Sequence, residues 1–126
     1  QLNDDPEHLG SMAQWVYENL GPSTPWHVTR FLPDFELSYL PPTPITTLER
    51  GVGLGRAAGL RFVYIGNVQD HTSRNTTCPD CGRTVIERRG REVDLRGVES
   101  GRCAACGADL AMVFAPGQET ARINAV

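Results

Sequence analysis

Cys78-Pro79-Asp80-Cys81-Gly82 and Cys103-Ala104-Ala105-Cys106-Gly107 hold all four cysteines of the chain, with 21 residues between Cys81 and Cys103. Two residues between paired cysteines let both sulfurs converge on one ion from a tight turn. The glycine after each pair lets the backbone amides turn toward the thiolates. Two such turns supply four soft ligands in a tetrahedron, which is how a structural zinc site is closed. Cys78, Cys81, Cys103 and Cys106 are therefore the candidate metal ligands, and zinc is the expected ion. Two disulfides or four free thiols are the competing readings. No secretory leader is apparent in the sequence, so the expected compartment is the reducing cytoplasm, where disulfides do not persist.

The residues around the two turns fit a small β module over 78–114. Strand patterns run over Arg83–Arg89, Glu92–Leu95 and Ala108–Phe114, separated by Gly90, Gly97 and Gly101. Turn, hairpin, turn, strand is the layout of a zinc ribbon. Val85, Ile86, Val93, Leu95, Val98 and Leu110 make only a small core, and a module of this size needs a staple that a metal can provide. Arg83, Arg88, Arg89, Arg91, Arg96 and Arg102 are matched one for one by Asp80, Glu87, Glu92, Asp94, Glu99 and Asp109. That balance favours a solvated mixed-charge face over a nucleic-acid patch. Residues 115–126 form a tail without a signal.

Composition sets bounds on function. The 126 residues suit one domain or one and a half, and the hydrophobic content of 40% is enough for a packed core. No apolar run approaches the ~18 residues of a membrane span. The net charge of −3 argues against generic binding to a polyanion. All 12 basic residues are arginine. Without lysine, this chain has neither a Schiff-base nucleophile nor the phosphate-binding lysine of a Walker loop.

Upstream of the ribbon, residues 1–67 read as helix, strand, helix, strand. Asp4, Asp5 and Pro6 open the first helix, and Leu9, Met12, Ala13, Val16 and Leu20 mark its buried face. Gly21 and Pro22 stop it. Pro25–Phe31 is a strand with Trp26 and Val28 on one face and His27, Thr29 and Phe31 on the other. A strand inside a parallel sheet is normally apolar on both faces. The polar face therefore meets either water or a ligand cavity, and His27 is a candidate site residue. A long loop follows over 32–43, with Phe35, Leu37, Tyr39 and Leu40 expected to pack. Thr43 is expected to cap a second helix, with Pro44 at its first position and Ile45, Leu48 and Val52 on its buried face. Gly51, Gly53 and Gly55 cost that helix about 1 kcal/mol each relative to alanine, so it relies on tertiary packing or breaks near Gly51. Gly53-Leu54-Gly55-Arg56-Ala57-Ala58 matches a dinucleotide fingerprint in letters, but it lies within a helix pattern instead of opening one. Arg61–Gly66 is the second strand, and βαβ logic makes the two strands parallel neighbours. Residues 68–77 read as a polar linker. His71 within it is not needed by a metal that already has four thiolates.

With those residues in place, the chain resembles the C-terminal part of a radical S-adenosylmethionine (SAM) enzyme of the AmmeMemoRadiSam type, similar to pyruvate formate-lyase activating enzymes. The matching stretches are L-N-D at 2–4, P-W-H-V-T-R-F at 25–31, P-P-T-P at 41–44 and T-L-E-R at 47–50, then A-G-L-R-F-V-Y-I-G-N at 58–67, N-T-T-C-P-D-C-G at 75–82 and C-A-A-C-G at 103–107. The resemblance implies an α/β fold: the last βα units of a partial (β/α) barrel, plus the zinc-ribbon-like β module. It implies that SAM is cleaved at a 4Fe–4S cluster held by a C-x-x-x-C-x-x-C motif. That motif is absent from this sequence, so an N-terminal radical SAM core is the implied partner and no catalytic residue is expected here. Asn3, Asp4, His27 and Arg30 are the cofactor-facing candidates that the resemblance implies, and a protein substrate is among the partners it leaves open. The alternative is a free-standing zinc-ribbon module that binds protein or nucleic acid.

Overall fold

The computed structural model describes residues 3–114. The chain divides after Val68 into two compact units. Among the described residues, no helix is long and apolar enough to cross a membrane.

The first unit is built from α1 (Pro6–Leu20), β1 (Trp26–Thr29), α2 (Ile45–Ala57) and β2 (Val63–Gly66). Asp5 caps α1: its Oδ1 accepts from the amides of Glu7 and His8 at 2.9 and 3.1 Å, and Pro6 follows at the first helical position. A cap of this kind is worth about 1 kcal/mol. Gly21, at φ 90°, ends the helix by donating its amide to the Tyr17 carbonyl. The apolar stripe of α1 is only half used. Leu9 and Ala13 are buried, whereas Met12 and Leu20 are 38% and 58% exposed. The stripe is wider than the face the rest of the unit covers.

Strands β1 and β2 run parallel in the register Trp26↔Val63, His27↔Tyr64, Val28↔Ile65 and Thr29↔Gly66, with α2 as the crossover between them. This register puts Trp26, Val28, Val63 and Ile65 on one face. They join Ala13, Leu48, Val52 and Leu60 in the core. The three glycines of α2 do not break it. Gly51 lies against the methyls of Val28, and a Cβ on Gly55 would come within 2.6 Å of the Trp26 ring. The missing side chains let the helix axis approach the strands, so the low intrinsic propensity is offset by packing.

Further expectations for this unit are corrected, beginning with Ile45 of α2, which is 39% exposed instead of buried. Thr43 does not cap α2; Pro44 occupies that position without a side-chain bond, and the Thr43 hydroxyl instead accepts from the Phe31 amide at 3.2 Å. The loop over 32–43 does not bury its large apolar residues: Phe35 is 85% and Tyr39 77% exposed around a short 3-10 turn at Phe35–Leu37. The loop is ordered from its ends, because the Thr43 amide also donates to the Phe31 carbonyl. The sheet among the described residues has two strands, so it is a parallel pair and not a closed barrel.

The second unit contains β3 (Thr76–Thr77), β4 (Thr84–Arg89), β5 (Glu92–Asp94), β6 (Val98–Glu99) and β7 (Arg102–Cys103). They form an antiparallel sheet in the order β3-β4-β5 and a separate β6-β7 pair. Residues 69–77, expected as a linker, belong to this unit. They carry a 3-10 turn and β3, and the Asn75 side chain accepts from the Arg88 amide at 2.8 Å. Cys78, Val85, Ile86, Cys103 and Leu110 form its core. Val93, expected inside, is 37% exposed. The strand expected at Ala108–Phe114 is reduced to a single bridge between Arg102 and Asp109, while the β6-β7 pair was not foreseen. The tail at 115–126 lies outside the described residues.

Candidate metal centre

The two sequence turns fold into matching knuckles. In the first, the Cys78 amide donates to the Arg83 carbonyl at 2.7 Å and the Gly82 amide to the Cys78 carbonyl at 2.9 Å. In the second, the Cys103 amide donates to the Ala108 carbonyl at 2.9 Å and the Gly107 amide to the Cys103 carbonyl at 2.8 Å. The closing glycines match as well: Gly82 has φ 73° and Gly107 φ 75°, a left-handed conformation that other residues adopt at a cost. One knuckle follows β3, and the other starts from the end of β7, which β6 holds through the Val98↔Cys103 register.

This arrangement gathers Cys78, Cys81, Cys103 and Cys106 with all four Sγ atoms within 4.8 Å of one another. Cys78 and Cys106 lie 3.6 Å apart, and Cys81 and Cys103 3.8 Å. A metal–sulfur bond of about 2.3 Å gives a tetrahedron with edges of about 3.8 Å, so the spacing suits one ion at the centre. All four cysteines are free, with no sulfur bonded to another. The first cysteine of each knuckle is buried and the second exposed. The buried pair packs into the apolar core, so the site and the core of this unit are one structure.

Electrostatics also favour a cation here. The Ala105 amide points at the Cys103 sulfur and outweighs the opposing effect of burial; with help from the Cys106 amide and the neighbouring thiols, it brings this thiol down to about 7. Cys106 goes the other way. The Ala108 amide favours its thiolate, but partial desolvation of the sulfur by its neighbours and the sulfurs of Cys78, Cys81 and Cys103 outweigh it and push this thiol up to about 12. Four sulfurs this close share protons: the first thiolate is stabilised by its neighbours and the last is opposed by them. A divalent cation relieves that repulsion, and coordination deprotonates the remaining thiols. The donor set and spacing thus fit a metal. Among the described residues, these cysteines are the group of His, Cys, Asp and Glu side chains so placed. His71 is not in it; its Nδ1 accepts from the Ser73 amide at 3.1 Å.

The other candidates lie in the first unit. Asn3 is exposed and Asp4 half-buried, just before the cap of α1. His27 is exposed on the face of β1 opposite the core, and its ring sits 4.9 Å from that of Tyr64 at a tilt of 30°. Arg30 extends the β ladder by donating its amide to the Gly66 carbonyl, and its Nε donates to the Thr43 carbonyl at 2.9 Å. Arg30 therefore ties down the end of the 32–43 loop. Sequence reasoning missed Tyr64 as the neighbour of His27. The signal was present: Tyr64 stands between Val63 and Ile65, and alternation plus a parallel register puts it beside His27.

Over 115 residues the chain is 43% identical to the uncharacterized protein MJ0808 of Methanocaldococcus jannaschii, a match that takes in 89% of this chain and 34% of that relative. The chain therefore spans about a third of the relative's length. No protein-family model matches the chain, and no solved structure matches it.

Proposed function

We propose that this chain is the C-terminal part of a radical SAM enzyme of the AmmeMemoRadiSam type, and that its four cysteines hold a structural zinc ion. The observation that carries the zinc reading is the pair of matching knuckles with sulfurs at tetrahedral spacing. Four thiolates complete a tetrahedral shell and leave no position for substrate, so the ion's role is to fold the ribbon. A 4Fe–4S cluster spreads its cysteine ligands over four irons, and sulfurs all within 4.8 Å of one another suit a single ion better. Zinc also suits the exposure of Cys81 and Cys106, since it carries no redox chemistry that water would disturb.

The radical SAM reading rests on the motif order along the chain. It is supported by the parallel β1/β2 pair with its helical crossover, the unit from which (β/α) barrels are built. A relative about three times as long is in keeping with a part of a larger protein. In such an enzyme the cluster supplies the electron that cleaves SAM, and the cluster ligands lie outside this sequence. What this chain offers is a wall: the polar face of β1 and β2, with His27 beside Tyr64, and the Arg30-anchored loop at the C-terminal ends of the strands. Strand C-terminal ends are where βα folds place their sites. A free-standing ribbon module is the second reading, favoured by the ribbon's forming its own unit around its own core.

Two measurements test the proposal. Elemental analysis of the purified chain is expected to give one zinc per chain in a colourless protein. A brown preparation with iron and sulfide in matching amounts would reject zinc. The reading frame upstream of Gln1 is expected to encode C-x-x-x-C-x-x-C; a stop codon there would reject the radical SAM reading and favour the free-standing module.

A further inference from the structure

The four sulfurs differ in a way that a purely structural site does not require. Cys81 and Cys106 are exposed, while Cys78 and Cys103 are buried. The contacts of 3.6 and 3.8 Å join Cys78 to Cys106 and Cys81 to Cys103. Each contact therefore runs between knuckles, and each pairs one sulfur that solvent can reach with one that it cannot. We infer that the centre is a peroxide-sensitive redox site that releases its metal by forming two disulfides across the knuckles, Cys78–Cys106 and Cys81–Cys103. This rests on the reading of the cysteines as zinc ligands.

The chemistry balances with hydrogen peroxide as the oxidant. An exposed thiolate attacks the peroxide O–O bond, takes one oxygen to become a sulfenic acid and releases hydroxide. The buried sulfur of the opposite knuckle attacks that sulfenic sulfur; the S–S bond forms and a second hydroxide leaves. Two peroxides oxidise the four thiolates to two disulfides, four hydroxides leave, and the zinc departs as the dication. The geometry favours this pairing because the contacts of 3.6 and 3.8 Å each join an exposed cysteine to a buried one of the other knuckle. It also gives the oxidised ribbon a staple. Cross-knuckle bonds tie the same two turns together that the metal tied, whereas bonds within each C-x-x-C would leave the knuckles unlinked.

The test uses the whole chain. Zinc content is first fixed by elemental analysis, which reports on the metal reading by itself. Hydrogen peroxide is then added with a chromogenic zinc chelator, and the disulfides are mapped by mass spectrometry of peptides cut without reduction. Arg83, Arg88, Arg89, Arg91, Arg96 and Arg102 lie between the knuckles, so trypsin separates the knuckles, and fragmentation of the linked peptides assigns which cysteine pairs with which. The expected result is release of one zinc per two peroxides, Cys78–Cys106 and Cys81–Cys103 as the products, and recovery of zinc binding after a thiol reductant. Disulfides within each knuckle, bonds between chains, or irreversible sulfinic acids would overturn the inference. The same mapping on chain stripped with chelator and reloaded with zinc keeps the pairing testable if the resident metal is not zinc: cross-knuckle bonds there uphold it, and any other pairing rejects it.

Discussion

Gly51, Gly53 and Gly55 share one helix and carry three different constraints. A Cβ at Gly53 would meet nothing within 4 Å, and the residue is exposed. Gly53→Ala is expected to stabilise the first unit by about 1 kcal/mol through helix propensity alone. At Gly55 the same substitution drives a methyl into the Trp26 ring at 2.6 Å and is expected to destabilise by about 1–3 kcal/mol. Urea melts followed by tryptophan fluorescence distinguish the two; equal effects would mean that α2 does not pack on β1 as described. The cysteines make a residue-scale prediction about pH. Cys103 is lowered from 9.0 to about 7, so its contribution to the metal-free fold is full above 9.0 and lost as pH falls through 7. Cys106 is raised from 9.0 to about 12, so its contribution is full below 9.0 and lost as pH climbs toward 12. The folded fraction of the metal-free ribbon is expected to peak near pH 9, as read from amide chemical-shift dispersion in excess chelator. A fraction that only rises or only falls across that range would contradict the thiol environments described.

Elements explain why the two units are expected to respond differently to loss of metal. The β strands of the ribbon are two to six residues long, and its core counts two cysteines among five buried side chains. Metal binding supplies folding free energy directly in so small a module. Cys103→Ser removes one ligand and the side chain that anchors β7, and it is expected to unfold the ribbon. The first unit has its own core of Ala13, Val28, Leu48, Val52, Leu60, Val63 and Ile65 and is expected to keep its structure. Hydrogen exchange resolved by segment checks this: protection lost over 76–110 and kept over 45–66 is the expected pattern, and equal loss in both would mean that one core serves the whole chain. Cys106→Ser, at an exposed ligand, is expected to weaken metal binding with a smaller effect on packing.

At the scale of the whole molecule, the initiating chemistry of the proposed radical SAM enzyme falls to residues outside this sequence. The chain alone, with SAM and a strong reductant, is expected to form no 5′-deoxyadenosine above a protein-free control. Within a full-length radical SAM enzyme of the kind proposed, His27→Ala is expected to lower activity or SAM affinity more than stability, because the ring is exposed and sits against Tyr64 at a tilt, outside the core. A fall in melting temperature with activity per folded molecule unchanged would make His27 a structural residue. Arg30→Gln is a useful contrast. It removes the Nε bond to Thr43, so it is expected to loosen the 32–43 loop even in this chain.

The four-cysteine centre was legible residue by residue, because a C-x-x-C-G knuckle is a local structure. Its two backbone bonds and its left-handed glycine lie within six residues, so spacing alone determines the turn. The cap at Asp5 and the parallel pairing of β1 with β2 were legible for the same reason: caps, alternation and crossover rules act over short stretches or follow from element order. What only the tertiary structure decided was which apolar residues find a partner. Leu9 and Met12 lie on the same stripe, yet one is buried and the other exposed. Phe35 is as apolar as any core residue and Tyr39 carries a large ring, yet both face outward, because the loop is held by its ends and no described residue of the unit covers its middle. Gly51 and Gly55 of α2 read as weakness in the sequence and proved to be clearance for Val28 and Trp26. Propensity is a property of one segment, whereas burial and close approach are properties of two, and the second segment lies far away in the sequence.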